Sequence, residues 1–364
     1  MKISDIKNLE LEITTKCNAR CPQCVRNYYG STTWDNLPII DMSLDDFKAG
    51  MPTEIWKTLK HVKFCGTYGD PLMHNDPIKF IDYIKEQNSD IAITINTNGG
   101  IRSIKWWKEL VNHLGPKDLV FFGIDGLEDT NHLHRIDVKF NKVIDNLTVF
   151  NKAGGRSIWQ YIVFEHNDHQ VEQARQLSRE LGCLDFAAKS TGRFIDKTHT
   201  LVDKSPVMNV EHEIIRWIKP TKGKYRNTGY DSIDPLIKQH GSWQNYLENA
   251  SIDCFAIRDG FTYIAANGEV FLCGWLSDRM YGFEPEKHQD HQVMLDMMEE
   301  LGGRDNINLF KTSLKEIVEE TWFPRIEQSW ATNEIQRCAN QCGKLYQSLT
   351  AETNKELKNV FLGT

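Results

Sequence analysis

Three cysteines near the start of the chain lie within eight positions, in the spacing C-x3-C-x2-C (Cys17, Cys21 and Cys24). They directly follow the apolar run at residues 9–13, which predicts a strand, so they occupy the loop after it. Such close spacing lets one loop surround one soft metal centre, and thiolates favour zinc or iron–sulfur clusters. A cubane cluster normally takes four cysteines, so three leave one iron with an open position, as a catalytic metal requires. The alternatives are a structural zinc site, which would need another cysteine or histidine nearby, and an exposed cysteine loop.

Four further cysteines form a second group in the last third of the chain: Cys254, Cys273, Cys338 and Cys342. Gly268 lies between the first two and permits a hairpin turn that would bring their thiols to one site. Four thiolates complete the coordination of one iron–sulfur cubane or of one tetrahedral zinc ion, and both interpretations stay open at this point.

The composition is that of an ordinary soluble globular protein. The 364 residues are 40% hydrophobic and 26% charged, with a net charge of −7, and this length suits about two domains. No signal peptide and no apolar run of roughly 18 residues are visible, so we expect a cytoplasmic protein with no membrane partner. Nine cysteines without a signal peptide argue against a disulfide framework. Nucleic acid is not an expected partner, because no dominant basic region exists.

Residues 9–190 alternate between strand-like and helix-like patterns. Apolar runs predict six strands, at residues 9–13, 62–65, 91–95, 119–124, 158–164 and 184–188. Amphipathic patterns between them predict helices, one of which begins at Asp76-Pro77. This alternation implies a parallel sheet with right-handed crossovers, and six units are too few for an eight-fold barrel. The sequence predicts an α/β fold with a partial (β/α)6 TIM-like barrel, or alternatively a doubly wound sheet. In both folds, ligands bind at the carboxyl ends of the strands.

The chain is expected to divide into three parts. Residues 1–195 form the barrel, residues 196–252 form a connector with some helix, and residues 253–364 form a small cysteine-containing domain with a tail. The last part contains FTYIAANGEVFLC, which predicts a hairpin that turns at Asn267-Gly268.

The cysteine loop after the first strand of a partial barrel resembles that of the radical S-adenosylmethionine (SAM) superfamily. The resemblance implies that Cys17, Cys21 and Cys24 bind a [4Fe–4S] cluster whose fourth iron is chelated by the amino and carboxylate groups of SAM. It also implies that an external donor of the flavodoxin or ferredoxin type supplies an electron through the cluster. That electron cleaves SAM to methionine and a 5′-deoxyadenosyl radical, which abstracts hydrogen from a substrate. The cofactor then carries the difficult chemistry, and the protein orients and shields it.

Further motifs at the strand ends resemble motifs of the same superfamily. Gly69-Asp70-Pro71 is similar to its Gly-Glu-Pro turn, and Asn98 is similar to the asparagine of its Thr-Asn-Gly segment. Asp125 and Asn167 are similar to polar residues after the fourth and fifth strands. The resemblance implies a set of cofactor-binding residues: Gln23, Tyr68, Gly69, Asp70, Pro71, Asn98, Asp125 and Asn167.

Four positions depart from the superfamily pattern. Gln23 stands before the third cysteine, where an aromatic residue is usual, and Tyr68 and Asp70 replace a glycine and a glutamate. Gly123 stands where a serine would contact SAM, so that contact is expected to be absent.

The second cysteine group, with its C-x13-G-x4-C opening, resembles a twitch domain, which is a truncated SPASM domain. A full SPASM domain has more cysteines and a second auxiliary cluster. The resemblance therefore implies one auxiliary [4Fe–4S] cluster, held by Cys254, Cys273, Cys338 and Cys342.

The expected function is that of a radical SAM enzyme whose auxiliary cluster assists oxidation or substrate binding. Its substrate would be a small alcohol, sugar or nucleoside, or else a ribosomal peptide. No catalytic residue stands out, and the candidates near the strand ends are Asp125, Glu165, His166, Lys189 and Cys65. The alternative is a non-catalytic iron–sulfur protein for electron transfer or sensing, which would need neither an open iron nor a SAM pocket.

Overall fold

An eight-stranded sheet lies at the centre of the protein. The structure, a computed structural model, describes residues 1–195, 201–282 and 289–344. Six parallel strands follow one another in chain order: β1 (Asn8–Leu11), β2 (His61–Phe64), β3 (Ala92–Thr97), β4 (Leu119–Gly123), β5 (Ser157–Ile162) and β6 (Asp185–Lys189). A doubly wound sheet reverses its strand order at a switch point, and no reversal occurs between β1 and β6. The predicted six-strand α/β barrel is therefore confirmed, and the doubly wound alternative is wrong.

Helices between these strands cover the outer face of the sheet. They are α1 (Leu44–Gly50), α2 (Ile55–Thr58), α3 (Pro77–Gln87), α4 (Ile104–Val111), α5 (Asn131–His134), α6 (Phe140–Lys152) and α7 (Val171–Glu180). The apolar stripe of each longer helix faces the strands, so Phe80, Trp107 and Phe150 pack in one buried cluster with Val62 and Ile93. Burial of these side chains is the main source of stability.

Local signals set the helix ends. Pro77 is the first residue of α3, as predicted. Asp76 makes no capping hydrogen bond and instead pairs with Lys79 at 3.0 Å. The hydroxyl of Ser103 does cap α4, because it accepts a hydrogen bond from the Trp106 N–H at 3.2 Å.

The predicted hairpin at Asn267-Gly268 is confirmed, and it extends the barrel sheet. Its strands are β9 (Phe261–Ile264) and β10 (Val270–Phe271), and Gly268 has a φ of +88° in the turn. Strand β9 pairs in parallel with β1, which gives the sheet order β10-β9-β1-β2-β3-β4-β5-β6. Without β9 the edge of β1 would carry unpaired N–H and C=O groups. The boundary at residue 252 stays a prediction, since strands on both sides of it share one sheet.

The connector contains an antiparallel hairpin that the sequence did not predict. It consists of β7 (Ser205–Met208) and β8 (Ile214–Ile218), and the helices α8 (Ile233–His240) and α9 (Trp243–Asn249) follow. Pro206 in β7 and the exposed apolar side chains of β8 hide the alternating pattern of a half-buried strand. The hairpin contacts the cysteine loop, because the Met208 N–H donates to the Tyr29 carbonyl oxygen at 2.9 Å.

Within residues 253–282 and 289–344, the regular structure outside the hairpin is helical. It contains α10 (Phe255–Asp259), α11 (Gly274–Ser277), α12 (Gln289–Glu300), a π-helix (Glu316–Glu320), α13 (Trp322–Ser329) and α14 (Gln336–Cys342). Among the residues that the structure describes, no helix has both the length and the apolarity needed to cross a bilayer.

Substituting two glycines tests the junction between β9 and β1. Gly260 has a φ of +67°, and a Cβ there would collide with the Asp5 carbonyl oxygen. Gly154 has a φ of +98° but has no heavy atom within 4 Å of that position. We expect Gly154→Ala to lower the free energy of unfolding by about 1 kcal/mol through backbone strain alone. Gly260→Ala should lower it by a further ~1–3 kcal/mol, and urea denaturation measures both. Equal losses would contradict this packing.

Candidate metal centres and cofactor pocket

The loop after β1 gathers the first three cysteines at the carboxyl end of the sheet. Cys21 is buried, and Cys17 and Cys24 are partly buried. The loop turns tightly, because the Cys24 N–H donates to the Cys21 carbonyl oxygen at 3.0 Å. Burial raises the pKa of Cys17 and raises that of Cys21 to about 11, and neighbouring thiols add to both shifts. The three thiols thus stand on one loop, and three sulfur donors are the ligand type of a soft metal centre.

Arg26 places a positive charge beside this cysteine loop. It donates to the carbonyl oxygens of Thr15 and Tyr68, the latter at 3.2 Å. Burial lowers the pKa of Arg26, and the nearby thiols of Cys17 and Cys24 oppose that shift. A cation held there would offset the negative charge of metal-bound thiolates.

A second arginine, which is partly buried, also reaches Cys21. The Nη1 atom of Arg135 lies 3.8 Å from the Cys21 sulfur, and its Nε lies 2.6 Å from a carboxylate oxygen of Asp125. Asp125 also accepts hydrogen bonds from His134 at 2.8 Å and from the Ile162 N–H at 2.7 Å. Burial would raise the pKa of Asp125, but Arg135 and His134 outweigh it and lower the pKa to about 2. In this arrangement the predicted cofactor-binding Asp125 orients Arg135.

The glycine at the end of β4 makes room for this arginine. A Cβ on Gly123 would come within 2.5 Å of the Arg135 guanidinium. A serine at position 123 would collide with Arg135, which explains why glycine replaces the superfamily serine there. The neighbouring sequence gives no sign of this contact.

The motifs after β2 and β3 meet beside Cys17. A carboxylate oxygen of Asp70 accepts from the Thr97 hydroxyl at 2.9 Å and from the Asn98 N–H at 2.8 Å. The Asn98 amide donates to the Asn18 side chain at 2.8 Å and lies 3.9 Å from the Cys17 sulfur. Burial raises the pKa of Asp70, although these hydrogen bonds oppose the shift. Two of the predicted cofactor-binding residues thus lie next to the cysteine loop.

Glu12 organises the same region from the end of β1. One carboxylate oxygen accepts from the N–H groups of Tyr68 and Gly69, at 2.7 and 3.0 Å, and the other accepts from the Tyr263 hydroxyl at 2.8 Å. Burial raises the pKa of Glu12 to about 7, against these hydrogen bonds. Gly69 packs directly on the cysteine loop, because a Cβ there would overlap the Thr14 carbonyl oxygen.

Tyr68 and Pro71, the other two predicted cofactor-binding residues after β2, make contacts within the protein. The buried Tyr68 hydroxyl lies 2.9 Å from the Ser277 carbonyl oxygen and 3.0 Å from that of Tyr281, so it points toward the C-terminal region. Pro71 begins a short 3-10 helix, Pro71–Met73, that is capped by the side chain of Asp70.

Gln23 fastens the cysteine loop to the segment after β6. Its side chain donates to the Arg193 carbonyl oxygen at 3.2 Å and accepts from the Thr191 hydroxyl at 3.3 Å, and the Arg193 guanidinium donates to the Gln23 carbonyl oxygen. An aromatic residue at this position could make none of these side-chain hydrogen bonds.

The polar atoms of Asn167 serve its own loop. The fully buried amide donates to the carbonyl oxygens of Asp125 and Ile162, at 2.8 and 3.0 Å, and accepts from the Phe164 N–H at 2.7 Å. Asn167 therefore stabilises the loop after β5 and its contact with the segment after β4.

Two of the catalytic candidates after β5 face different surroundings. Glu165 is exposed and pairs with Lys219 at 3.2 Å. His166 stacks on Phe164 with the ring centres 5.2 Å apart, and burial lowers its pKa to about 4. His166 is therefore neutral at pH 7, and Glu165 lies at the surface.

The remaining candidates, Cys65 and Lys189, lie at the ends of β2 and β6. Burial raises the pKa of Cys65, whose thiol lies near the charges of Glu10 and Lys63. Lys189 pairs with Ile162 in the sheet register and is partly buried. Both residues lie at the carboxyl end of the barrel, where ligands bind.

The second cysteine group surrounds one cavity. All four predicted ligands line it together with Trp275 and Arg337: Cys254, Cys273, Cys338 and Cys342. A hydrogen bond with Cys342 raises the pKa of Cys254, as does burial. Burial raises the pKa of Cys273, and the thiol of Cys254 adds to the shift. Four cysteine sulfurs around one space are the donor set of an iron–sulfur cubane, and zinc takes the same donor set.

Arg337 supplies a positive charge at this cavity. Its guanidinium donates to Asp278 at 2.6 Å and lies over the Trp275 ring, 4.6 Å from its centre.

Across the described ranges 1–195, 201–282 and 289–344, no three His, Cys, Asp or Glu side chains converge tightly enough for a single metal ion.

Five residues that shape these sites were missing from the sequence prediction: Glu12, Arg26, Arg135, Tyr263 and Arg337. Arg26 stands just after Cys24, so its charge beside the cysteine loop could have indicated it, whereas Arg135 is 114 positions from Cys21. Tyr263 gives no local signal, because its partner Glu12 is 251 positions away in the chain.

Comparisons with known proteins match this arrangement. The Radical SAM superfamily matches residues 11–177. A tungsten-containing aldehyde ferredoxin oxidoreductase cofactor-modifying protein of Pyrococcus furiosus is 34% identical over 124 residues, which is 34% of this chain and 32% of that protein. A GTP 3′,8-cyclase of Campylobacter jejuni is 24% identical over 203 residues, which is 48% of this chain and 61% of the cyclase. The chain thus spans less than two thirds of the length of either relative.

Two solved structures share the fold over nearly the whole chain. SuiB of Streptococcus suis, bound to the precursor peptide SuiA, has a TM-score of 0.55 and 12% identity, with 93% of this chain and 72% of SuiB covered. The enzyme anSMEcpe with bound AdoMet has a TM-score of 0.54 and 14% identity, with 98% of this chain and 93% of anSMEcpe covered. Residues 11–177, which contain the cysteine loop and most of the barrel, are therefore similar to the radical SAM superfamily, and the whole chain shares the fold of these two structures.

Proposed function

We propose that this protein is a radical SAM enzyme of the twitch-containing branch. Cys17, Cys21 and Cys24 would hold a [4Fe–4S] cluster, and SAM would complete its coordination. When bound, these groups supply a 5′-deoxyadenosyl radical that abstracts hydrogen from a substrate, with the electron supplied by a flavodoxin-type or ferredoxin-type donor. The observation that carries the proposal is the presence of three thiols on one loop, beside Asp70 and Asn98, within the segment 11–177 that matches this superfamily.

The residues around the loop support this chemistry by fixing charge and position. The buried Arg26 and the partly buried Arg135 place two positive charges beside the thiols, and these charges would stabilise a centre that carries negative thiolates. Asp70 holds the backbone of Asn98, and Asn98 holds the loop through Asn18. Because these contacts are buried, the loop is preorganised before any ligand binds.

We further propose that the second cysteine group holds one auxiliary [4Fe–4S] cluster. Cys254, Cys273, Cys338 and Cys342 line a single cavity with Arg337, whose charge suits a thiolate-bound centre. The cluster would accept an electron from an oxidised substrate or bind the substrate directly. Zinc at the same four thiols is the competing assignment.

Two substrate classes are compatible with the names of the relatives. The cofactor-modifying protein and the GTP 3′,8-cyclase are named for small molecules, whereas SuiB was crystallised with a precursor peptide. For this chain the substrate is accordingly a small alcohol, sugar or nucleoside, or a peptide.

Removing one thiol of the first group tests the assignment of SAM cleavage. We expect Cys17→Ala to abolish 5′-deoxyadenosine formation by anaerobically reconstituted, reduced protein, because the cluster loses a ligand. Cys183→Ala is the matched control: Cys183 lies near Asn151, away from the loop, and should leave the yield unchanged. Cleavage that survives in Cys17→Ala would refute the role of the loop. No cleavage by loaded wild-type protein would favour the electron-transfer alternative.

Metal and sulfide analysis separates the two assignments of the second group. Two cubanes predict about eight iron and eight sulfide per chain, falling to about four of each in Cys338→Ala. Zinc at the second site instead predicts about four iron and one zinc in the wild type, with the zinc lost in that variant. The zinc pattern would contradict the auxiliary cluster while leaving the first site intact.

A further inference from the structure

Two buried N–H donors at the second cysteine group have no hydrogen-bond partner among the residues that the structure describes. One is the Nε of Arg337, which lines the cavity together with the four cysteines, and the other is the indole Nε1 of Trp330. Buried polar groups in native proteins are nearly always hydrogen-bonded. Donors that the fold leaves without an acceptor beside a cavity therefore indicate a ligand that accepts hydrogen bonds.

Both donors belong to the surroundings of Cys338. Arg337 directly precedes this cysteine in the chain and lines the same cavity. The Trp330 indole faces the Cys338 sulfur, because it opposes the rise that burial causes in the pKa of that thiol. The thiolate and sulfide sulfurs of an iron–sulfur cluster accept hydrogen bonds. A cluster at this site would thus give both donors the acceptor that the protein does not supply.

The charge of Arg337 faces the same space. Among the residues that line the cavity, all of which the structure describes, Arg337 is the one cation, and 12% of its side-chain surface is exposed. Asp278 pairs with Arg337 at 2.6 Å and with Arg279 at 3.3 Å, and Asp290 accepts from the Arg337 backbone N–H at 3.3 Å. Neither carboxylate lines the cavity, so a centre held there meets the cation, and solvent screens a charge this buried only weakly.

Backbone N–H groups face two of the other sulfurs. At Cys254 and at Cys273, the N–H groups of the residues two and three positions later in the chain act on the sulfur. They oppose the rise in pKa that Cys342 and burial cause at Cys254 and that burial causes at Cys273. With Trp330 at Cys338, three of the four predicted ligands face an N–H donor. Hydrogen bonds to the sulfurs and nearby positive charge both raise the reduction potential of a cluster, because they stabilise its more negative reduced state.

We propose that Arg337 and Trp330 set the reduction potential of the auxiliary cluster and hold it at a less negative value than the four thiolates alone would give. Arg337 contributes its charge and its Nε donor, and Trp330 donates to the sulfur of Cys338. One-electron reduction adds one negative charge to the centre, and both contacts stabilise that charge. This inference rests on the auxiliary cluster of the proposed function and assigns the residues that control its electron affinity.

A redox titration followed by electron paramagnetic resonance tests the inference. It uses the full-length protein with Cys17, Cys21 and Cys24 all changed to alanine, so that only the second centre is titrated. We expect Arg337→Gln to lower the ratio of reduced to oxidised cluster at a fixed potential about tenfold, which is ~59 mV for one electron. Trp330→Phe keeps an aromatic ring and removes the N–H, and it should lower that ratio about threefold.

Two further variants serve as controls in the same titration. Arg337→Lys keeps the positive charge and should lower the ratio less than Arg337→Gln does. Arg179→Gln removes the same charge at an exposed position on α7 and should leave the ratio unchanged. If Arg337→Gln does not assemble a cluster, Arg337→Lys and Trp330→Phe carry the test.

The outcomes separate this inference from the proposed function. A second cluster whose potential is unchanged or higher in the Arg337 and Trp330 variants, or that Arg179→Gln shifts equally, would overturn the inference alone. Zinc without a reducible cluster at the second site would overturn the auxiliary cluster, and the inference with it. SAM cleavage is measured separately in protein with the first three cysteines intact, and its absence there would overturn the proposed radical SAM function.

Discussion

One buried carboxylate, that of Glu12, ties together the parts of the chain on which both cysteine sites depend. It stands between β1 and the first cysteine loop, receives the backbone of the Gly-Asp-Pro turn and accepts from Tyr263 on β9. Burying a carboxylate costs free energy unless hydrogen-bond donors surround it. The three groups that donate to Glu12 are therefore held in position around it. The first cysteine loop and the C-terminal hairpin are thereby fixed to the same strand.

This constraint gives the two cysteine groups a common frame. Strand β9 extends the barrel at β1, and Cys273 follows directly after β10, so the second cavity is built on the edge of the same sheet. A Cβ placed on Gly274, the residue after Cys273, would lie 3.3 Å from the Tyr263 ring and 3.4 Å from a carboxylate oxygen of Glu10. Gly274 therefore packs against both residues. The edge of the sheet formed by β1 and β9 therefore lies between the two cysteine groups.

Much of this architecture could be predicted from the sequence, because strands, helices and turns carry local signals. The predicted strand at 119–124 is Leu119–Gly123 in the structure, and the Asn267-Gly268 turn was found from two residues. The pairing of β9 with β1 could not be predicted, since nothing local encodes a partner some 250 positions away. The β7–β8 hairpin was missed because Pro206 and its exposed apolar residues obscure the strand pattern.

The candidate sites divide in the same way. The grouping of cysteines follows from their spacing, but the position of Arg135 does not, because it reaches Cys21 across 114 positions. Gln23 and Gly123 depart from the superfamily pattern for reasons that appear only in three dimensions. The Gln23 side chain accepts a hydrogen bond from Thr191, and the lack of a side chain at Gly123 leaves room for Arg135.

The central claim is that the first three thiols leave one iron open for SAM. Electron paramagnetic resonance of the reduced Cys338→Ala protein, with and without SAM, tests it most directly, because that variant isolates the first cluster. The account predicts that SAM changes the spectrum of this cluster. A cluster signal that SAM leaves unchanged would contradict the claim.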